Sequence, residues 1–165
     1  MILQRGHPLL RQKALPVPSG KIQTAKIQTV LKKMGETLEP IADGVALAAP
    51  QIGLPWRIFI VSGKLFPDAE GKKGKDLIFI NPELKRVSKK EIVADESCLS
   101  TRWLYGLVRR AEKATVTASD ERGKKFTRHG AGLLAQIFQH EIDHLNGVLF
   151  LDKAKNVREI KPDES

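Results

Sequence analysis

The spacing of apolar residues changes period twice along the chain. Between residues 22 and 39 it is helical: Ile27, Val30, Leu31, Met34 and Leu38 share one side, while Lys26, Lys32, Lys33 and Glu36 face elsewhere. This predicts a helix that serves the core. Further on the pattern becomes strand-like. Trp56-Arg57-Ile58-Phe59-Ile60-Val61 predicts one strand, and Leu77 to Ile80 a second that Asn81-Pro82 stops. Leu84 to Val87, Glu91 to Ala94, Val108 and Ala114 to Ala118 add further strand positions, with a turn at Asp120 to Gly123. Arg128 to Leu145 returns to a helical pattern, and Asn146-Gly147 closes it. Residues 1–20, with His7-Pro8, Pro16 and Pro18, are expected to form an extended, turn-rich arm packed by Ile2, Leu3, Leu9, Leu10 and Leu15. Residues 62–76 are expected to be a polar loop. From Lys155 onward the chain is polar and expected to fray.

The order of arm, helix, strands and final helix predicts an α+β fold. Mostly antiparallel strands would pack around a buried C-terminal helix, with an N-terminal helix as well. The 165 residues suit a single domain over 1–165. A chain of that size buries about two-thirds of its unfolded surface, so it needs no cross-link. Cys98 is the only cysteine, which rules out an internal disulfide. It is either a small buried apolar residue or, in a reducing compartment, a thiolate available to a metal.

The opening MILQRGHPLLRQ lacks the apolar stretch of a secretory signal, and no run of 18 apolar residues predicts a membrane span. The cytoplasm is the expected location. Net charge is +9, from 28 Lys plus Arg against 19 Asp plus Glu, and the excess is spread along the chain. It includes Lys72, Lys73 and Lys75; Lys85, Arg86, Lys89 and Lys90; Arg109 and Arg110; and Lys124, Lys125 and Arg128. Such a surface is either plainly solvated or makes weak contacts with RNA or the ribosome, without sequence preference. One Tyr and two Trp provide few platforms for stacking single-stranded bases.

The chemistry is concentrated in Gln139-His140-Glu141-Ile142-Asp143-His144. Two histidines four residues apart lie one turn above the other on one helix face, and together they can grip one metal ion. Glu141 can then reach a water held there. Leu133, Ile137, His140 and His144 follow steps of four, three and four, and Leu134, Phe138 and Leu145 line a neighbouring side. A helix this apolar is buried, so each histidine needs a partner. A shared metal satisfies both, with Asp143 or a backbone carbonyl on a far ring nitrogen. A third ligand is needed. Glu159, Glu164, His7 and His129 are open choices. Cys98 is the stronger one, because it follows the strand-like Ile92-Val93-Ala94 and thiolate binds zinc or ferrous iron well.

Three segments carry a resemblance to the peptide deformylase family. HEIDH at 140–144 is similar to its metal-helix motif, ESCLS at 96–100 resembles its E-G-C-L-S, and GVALAAPQIG at 44–53 resembles its G-x-G-L-A-A-x-Q-x-G. Ile2-Leu3, His7-Pro8, Leu10-Arg11 and Pro16-Val17 resemble the family's start, so the likeness covers nearly the whole chain. It implies that Cys98, His140 and His144 hold one divalent metal, ferrous iron in the cell with zinc, nickel or cobalt as substitutes. It also implies Glu141 as general base and acid, and Gln51 with the Leu99 N–H as oxyanion donors. The substrate would be the formyl group on the first methionine of a nascent peptide. Gly44, Val45, Ala46, Glu96, Ser97, Leu133 and Ile137 would bind it, with Val45, Leu133 and Ile137 walling the methionine side chain above His140. A monomer is expected. A general metallopeptidase and an inactive metal- or ribosome-associated relative are the alternatives.

The chain departs from the family pattern at Ala46 and Ser97, where glycine is usual. Ala94 and Gln136 stand where larger or apolar residues are common, and Thr101-Arg102-Trp103 replaces a proline-containing stretch. These changes affect rate and side-chain preference more than reaction class.

Overall fold

In the computed structural model, residues 1–162 are described. They fold as an α+β structure with two antiparallel sheets. The larger has the order β1 (Ala46–Ala48), β2 (Ile58–Val61), β3 (Leu77–Val87), β6 (Lys113–Ser119) and β7 (Lys125–Ala131). The smaller has the order β4 (Glu91–Ser97), β5 (Leu104–Ala111) and β8 (Lys155–Glu159). Apart from an isolated parallel bridge between Leu15 and Trp56, every pairing among the described residues is antiparallel. No described helix is long and apolar enough to cross a membrane.

Both faces of the larger sheet are covered, which explains the unbroken apolar run Ile58–Val61. Ile58 and Ile60 face helix α1 (Ala25–Leu38), where Ile27, Val30, Leu31, Met34 and Leu38 form the apolar stripe. Glu39-Pro40 ends that helix, because the residue before proline is disfavoured in helical geometry. Phe59 and Val61 face helix α2 (Leu133–Leu145). Phe59 and Phe79 stack at 4.5 Å between centroids, and Phe138 of α2 meets the edge of Phe79 at 5.3 Å.

Three sequence expectations need correction. The first concerns Asn81-Pro82, which does not stop a strand: β3 runs on to Val87, joining the two segments expected to be separate. Its register against β6 shifts between Ile80 and Glu83. Asn81 absorbs the shift by taking φ 52°, a left-handed conformation that asparagine tolerates better than most residues. Its side chain accepts from the Val17 N–H at 2.8 Å and donates to the Val17 carbonyl at 2.7 Å. The bulge also accommodates Pro82, which has no N–H for a ladder.

The second concerns Arg128 to Ala131, which belong to β7 and not to the helix. Alternate residues of β7 are half-buried, and α2 begins only after Gly132, at φ 57°. A Cβ on Gly130 would lie 2.9 Å from the Phe138 ring and 3.1 Å from Leu134, so glycine here lets α2 cross closely over the strand. The third is the tail. Residues 155–159 form β8 against β5, with Leu104 opposite Glu159 and Tyr105 opposite Arg158.

Asn81→Ala removes two hydrogen bonds and leaves a left-handed residue without its usual tolerance. It is expected to cost about 2–4 kcal/mol in urea unfolding. A loss below about 0.5 kcal/mol, the scale of an ordinary surface change, would contradict this role.

Candidate metal centre

Helix α2 presents His140 and His144 one turn apart, with ring centroids 5.0 Å from each other. The small sheet brings the third group. Strand β4 ends at Ser97, and Cys98 follows at the head of a tight turn in which the Thr101 N–H bonds the Cys98 carbonyl. The Cys98 Sγ lies 3.2 Å from His144 Nε2. The donor atoms of Cys98, His140 and His144 all fall within 4.8 Å of one another, the only such group among the described residues. His7 instead caps a short 3-10 turn, and His129 bonds Thr115 on the surface of β6 and β7. Glu159 is exposed on β8, and Glu164 lies outside the described residues.

A short 3-10 turn, Ala49–Ile52, follows β1 and carries Gln51 into the same place. The Ala48 N–H donates to Gln51 Oε1 at 2.8 Å, which fixes the amide so that Nε2 points at the Ser100 Oγ and the Cys98 Sγ. The N-terminal arm ties both loops together. The Leu3 N–H donates to the Gln51 carbonyl, the Arg5 N–H to the Ser100 carbonyl, and Gln4 Nε2 to the Leu99 carbonyl. The Leu99 N–H itself donates to no group among the described residues and borders the cavity.

Behind the site, Glu96 accepts from Arg110 through both oxygens, at 2.7 and 2.8 Å, and from His140 Nδ1 at 2.8 Å. Arg110 also donates to Asp143 at 2.7 Å, and Lys153 caps Asp143 from the surface. Two expectations change here. The far nitrogen of His140 is held by Glu96, not Asp143. Arg110, counted with the surface charges, is 3% exposed. Glu96 borders the cavity, but its carboxylate is committed to Arg110 and His140. It therefore orients the His140 ring. The charge of Arg110 gives no sign of its burial in the sequence. The available signal is its place two residues after Val108, on the same inward face of a strand.

The electrostatics suit a cation. Burial opposes the charge on Glu96, but Arg110 and His140 outweigh it and hold the carboxyl at about 2. Burial likewise opposes a Cys98 thiolate, yet His144 and His140 bring the thiol well below its ordinary value. The thiolate is the form that binds metal. Because Glu96 takes His140 Nδ1, Nε2 is left for the thiolate side. Burial raises the Glu141 carboxyl above its usual range, against the opposing pull of His140 and His144. Glu141 Oε2 and His144 Nδ1 are buried with no hydrogen-bond partner among the described residues. A thiolate and two imidazoles, backed by a carboxylate on one ring, form a donor set that fits zinc or ferrous iron.

A cavity opens onto this group. One wall is Asp43 to Ala46, the other runs from Asp95 to Leu99, and α2 forms the floor with Leu133, Gln136, Ile137, His140 and Glu141. All the residues expected to contact substrate therefore border one space, with Leu133 more than half exposed at its rim. Ala46 pairs with Val61 in β1 and is not among the residues of positive φ, so its methyl brings no backbone strain. A Cβ on Gly44 would come within 2.8 Å of Leu38, which accounts for the glycine there by packing.

The polypeptide deformylase family model matches residues 1–159. A peptide deformylase of Thermomicrobium roseum is 40% identical over 99% of this chain and 91% of its own. One of Halothermothrix orenii is 42% identical over 93% and 92%. Among solved structures, a peptide deformylase of Legionella pneumophila superposes with a TM-score of 0.82, at 40% identity, over 94% of this chain and 86% of its own. The Met-Ala-Ser-bound enzyme of Acinetobacter baumannii superposes with a TM-score of 0.82, at 30% identity, over 93% and 96%.

Arg110→Met strands the buried Glu96 carboxylate without its main partner. It is expected to destabilise the fold by about 3–5 kcal/mol and to weaken zinc binding about 10- to 100-fold in chelator competition. Unchanged zinc affinity would contradict the orienting role of the Arg110–Glu96 pair.

Proposed function

The chain belongs to the polypeptide deformylase family, and on that footing we propose how its own residues carry out deformylation. The enzyme acts on formylated nascent peptides. The observation that carries the proposal is the grouping of Cys98, His140 and His144, with Cys98, His140, Glu141 and Gln51 all lining one cavity.

Cys98, His140 and His144 are the proposed ligands of one divalent metal, ferrous iron in the cell, with zinc, nickel or cobalt as substitutes. When bound, the metal supplies Lewis acidity toward both water and the formyl oxygen. Glu141 takes a proton from the attacking water as its oxygen bonds to the formyl carbon. It then passes a proton to the nitrogen as the carbon–nitrogen bond breaks, leaving formate and a free amino terminus. Its raised proton affinity suits a group that must both accept and release. Charge that develops on the formyl oxygen is met by Gln51 Nε2, already aimed by Ala48, and by the Leu99 N–H. The cysteine ligand partly neutralises the metal's charge, which leaves more of the deprotonation of water to Glu141.

The peptide would lie extended along Gly44, Val45 and Ala46, using main-chain hydrogen bonds that read little sequence. Ser97 would border it on the opposite wall, and Val45, Leu133 and Ile137 would take the methionine side chain. A single catalytic domain, a monomeric cytoplasmic enzyme and a transient ribosome contact through the positive surface complete the proposal. Family membership favours deformylation over a general metallopeptidase or an inactive relative.

Protein loaded anaerobically with iron or nickel is expected to release formate from formyl-Met-Ala-Ser and no acetate from the acetylated peptide. Glu141→Ala should retain the metal and lose at least about 100-fold in kcat. Gln51→Leu should lose about 100- to 1000-fold. Formate release unchanged in Glu141→Ala would sink the mechanism.

A further inference from the structure

The face of α2 that borders the cavity carries Leu133, Gln136, Ile137, His140 and Glu141, at steps of three, one, three and one. Gln136 therefore sits one turn before His140, between two apolar residues. The Gln136 main-chain N–H bonds the Gly132 carbonyl, but its side-chain amide bonds no described residue. The contrast with Gln139 on the same helix is sharp. Gln139 faces away, and both ends of its amide are tied to main chain, at Ala111 and Ala135. The charged side chains on the cavity walls are also committed elsewhere: Asp43 to Arg102, Asp95 to Arg158 and Glu96 to Arg110. Gln136 thus brings a free donor and acceptor to the cavity that Val45, Leu133 and Ile137 also line.

An amide there is not neutral toward the side chain it meets. A hydrocarbon end displaces water from it and returns no hydrogen bond, which costs binding. A thioether sulfur is only a weak acceptor. A sulfoxide oxygen is a strong one, and oxidation of methionine adds it without lengthening the side chain. We propose that Gln136 determines specificity for the first side chain. Its Nε2–H donates to the sulfoxide oxygen, and the enzyme deformylates chains that begin with formylmethionine sulfoxide as well as formylmethionine. This rests on the deformylase reading above. The reaction is the same hydrolysis, and the sulfoxide takes no part in it.

The test compares kcat/KM for formyl-Met(O)-Ala-Ser and formyl-Met-Ala-Ser on the same preparation of holoenzyme. In the unaltered enzyme the sulfoxide peptide is expected within about tenfold of the methionine peptide, one net hydrogen bond offsetting the added polarity. Gln136→Leu and Gln136→Met should each lower the sulfoxide-to-methionine ratio by about tenfold or more, as expected when a buried acceptor loses its donor. Because the quantity read is a ratio within one preparation, a partly unfolded variant does not imitate the effect. A ratio that stays the same in both variants overturns this inference alone. No formate from either peptide with the unaltered enzyme overturns the deformylase reading beneath it, and this inference with it.

Discussion

The burial of Glu96 against Arg110 is the constraint on which the rest of the site depends. A carboxylate 3% exposed is costly unless it is both paired and fully hydrogen-bonded. Here the pairing also does structural work. Glu96 is on β4, Arg110 on β5 and Asp143 on α2, so one run of charges fastens the small sheet to the helix. The outer oxygen of that run reaches His140 Nδ1, which sets the ring's direction and tautomer. Cys98 follows β4 by a single residue, so the pair that turns His140 also fixes where the thiolate arrives. The relative placement of Cys98 and His140 is thus a consequence of how the second sheet is attached.

The remaining elements divide the labour around that attachment. The large sheet, packed on both faces, gives α2 a rigid floor through Phe59, Phe79 and Phe138. The N-terminal arm holds the Gln51 turn and the Ser100 loop at a fixed separation by main-chain bonds. The cavity lies between β1 and β4, two strands with no bond to each other, where an extended peptide can fit. Of the departures from the family pattern, Ala46, Ser97, Arg102 and Gln136 sit on its borders, whereas Ala94, Thr101 and Trp103 do not. Ala46 is absorbed by ordinary strand geometry, Ser97 is exposed on the wall, and Gln136 changes the polarity of the floor.

Much of this was legible in the sequence, for identifiable reasons. The HEIDH spacing, the strand before Cys98 and the helical stripe of α1 are local signals, and the folded chain keeps their periods. Where the structure departs from the sequence pattern, the deciding contacts are distant in sequence. Val17, 64 residues from Asn81, stabilises the bulge that carries β3 past Pro82. Phe138 and Leu134 require Gly130 within β7, in a stretch whose basic residues mask the alternation. β8 reads as a polar tail because a short edge strand on an exposed sheet needs no apolar residues. Arg110 reads as a surface charge because charge alone cannot reveal a buried partner 14 residues away.

Metal ligation by Cys98, His140 and His144 is the central claim, and anomalous diffraction from crystals of anaerobically prepared protein tests it most directly. One peak is expected, about 2.0–2.3 Å from the Cys98 Sγ and from an imidazole nitrogen of each histidine, with His140 bound through Nε2. A peak coordinated by a carboxylate in place of Cys98, or a fully loaded metal elsewhere in the molecule, would contradict the account.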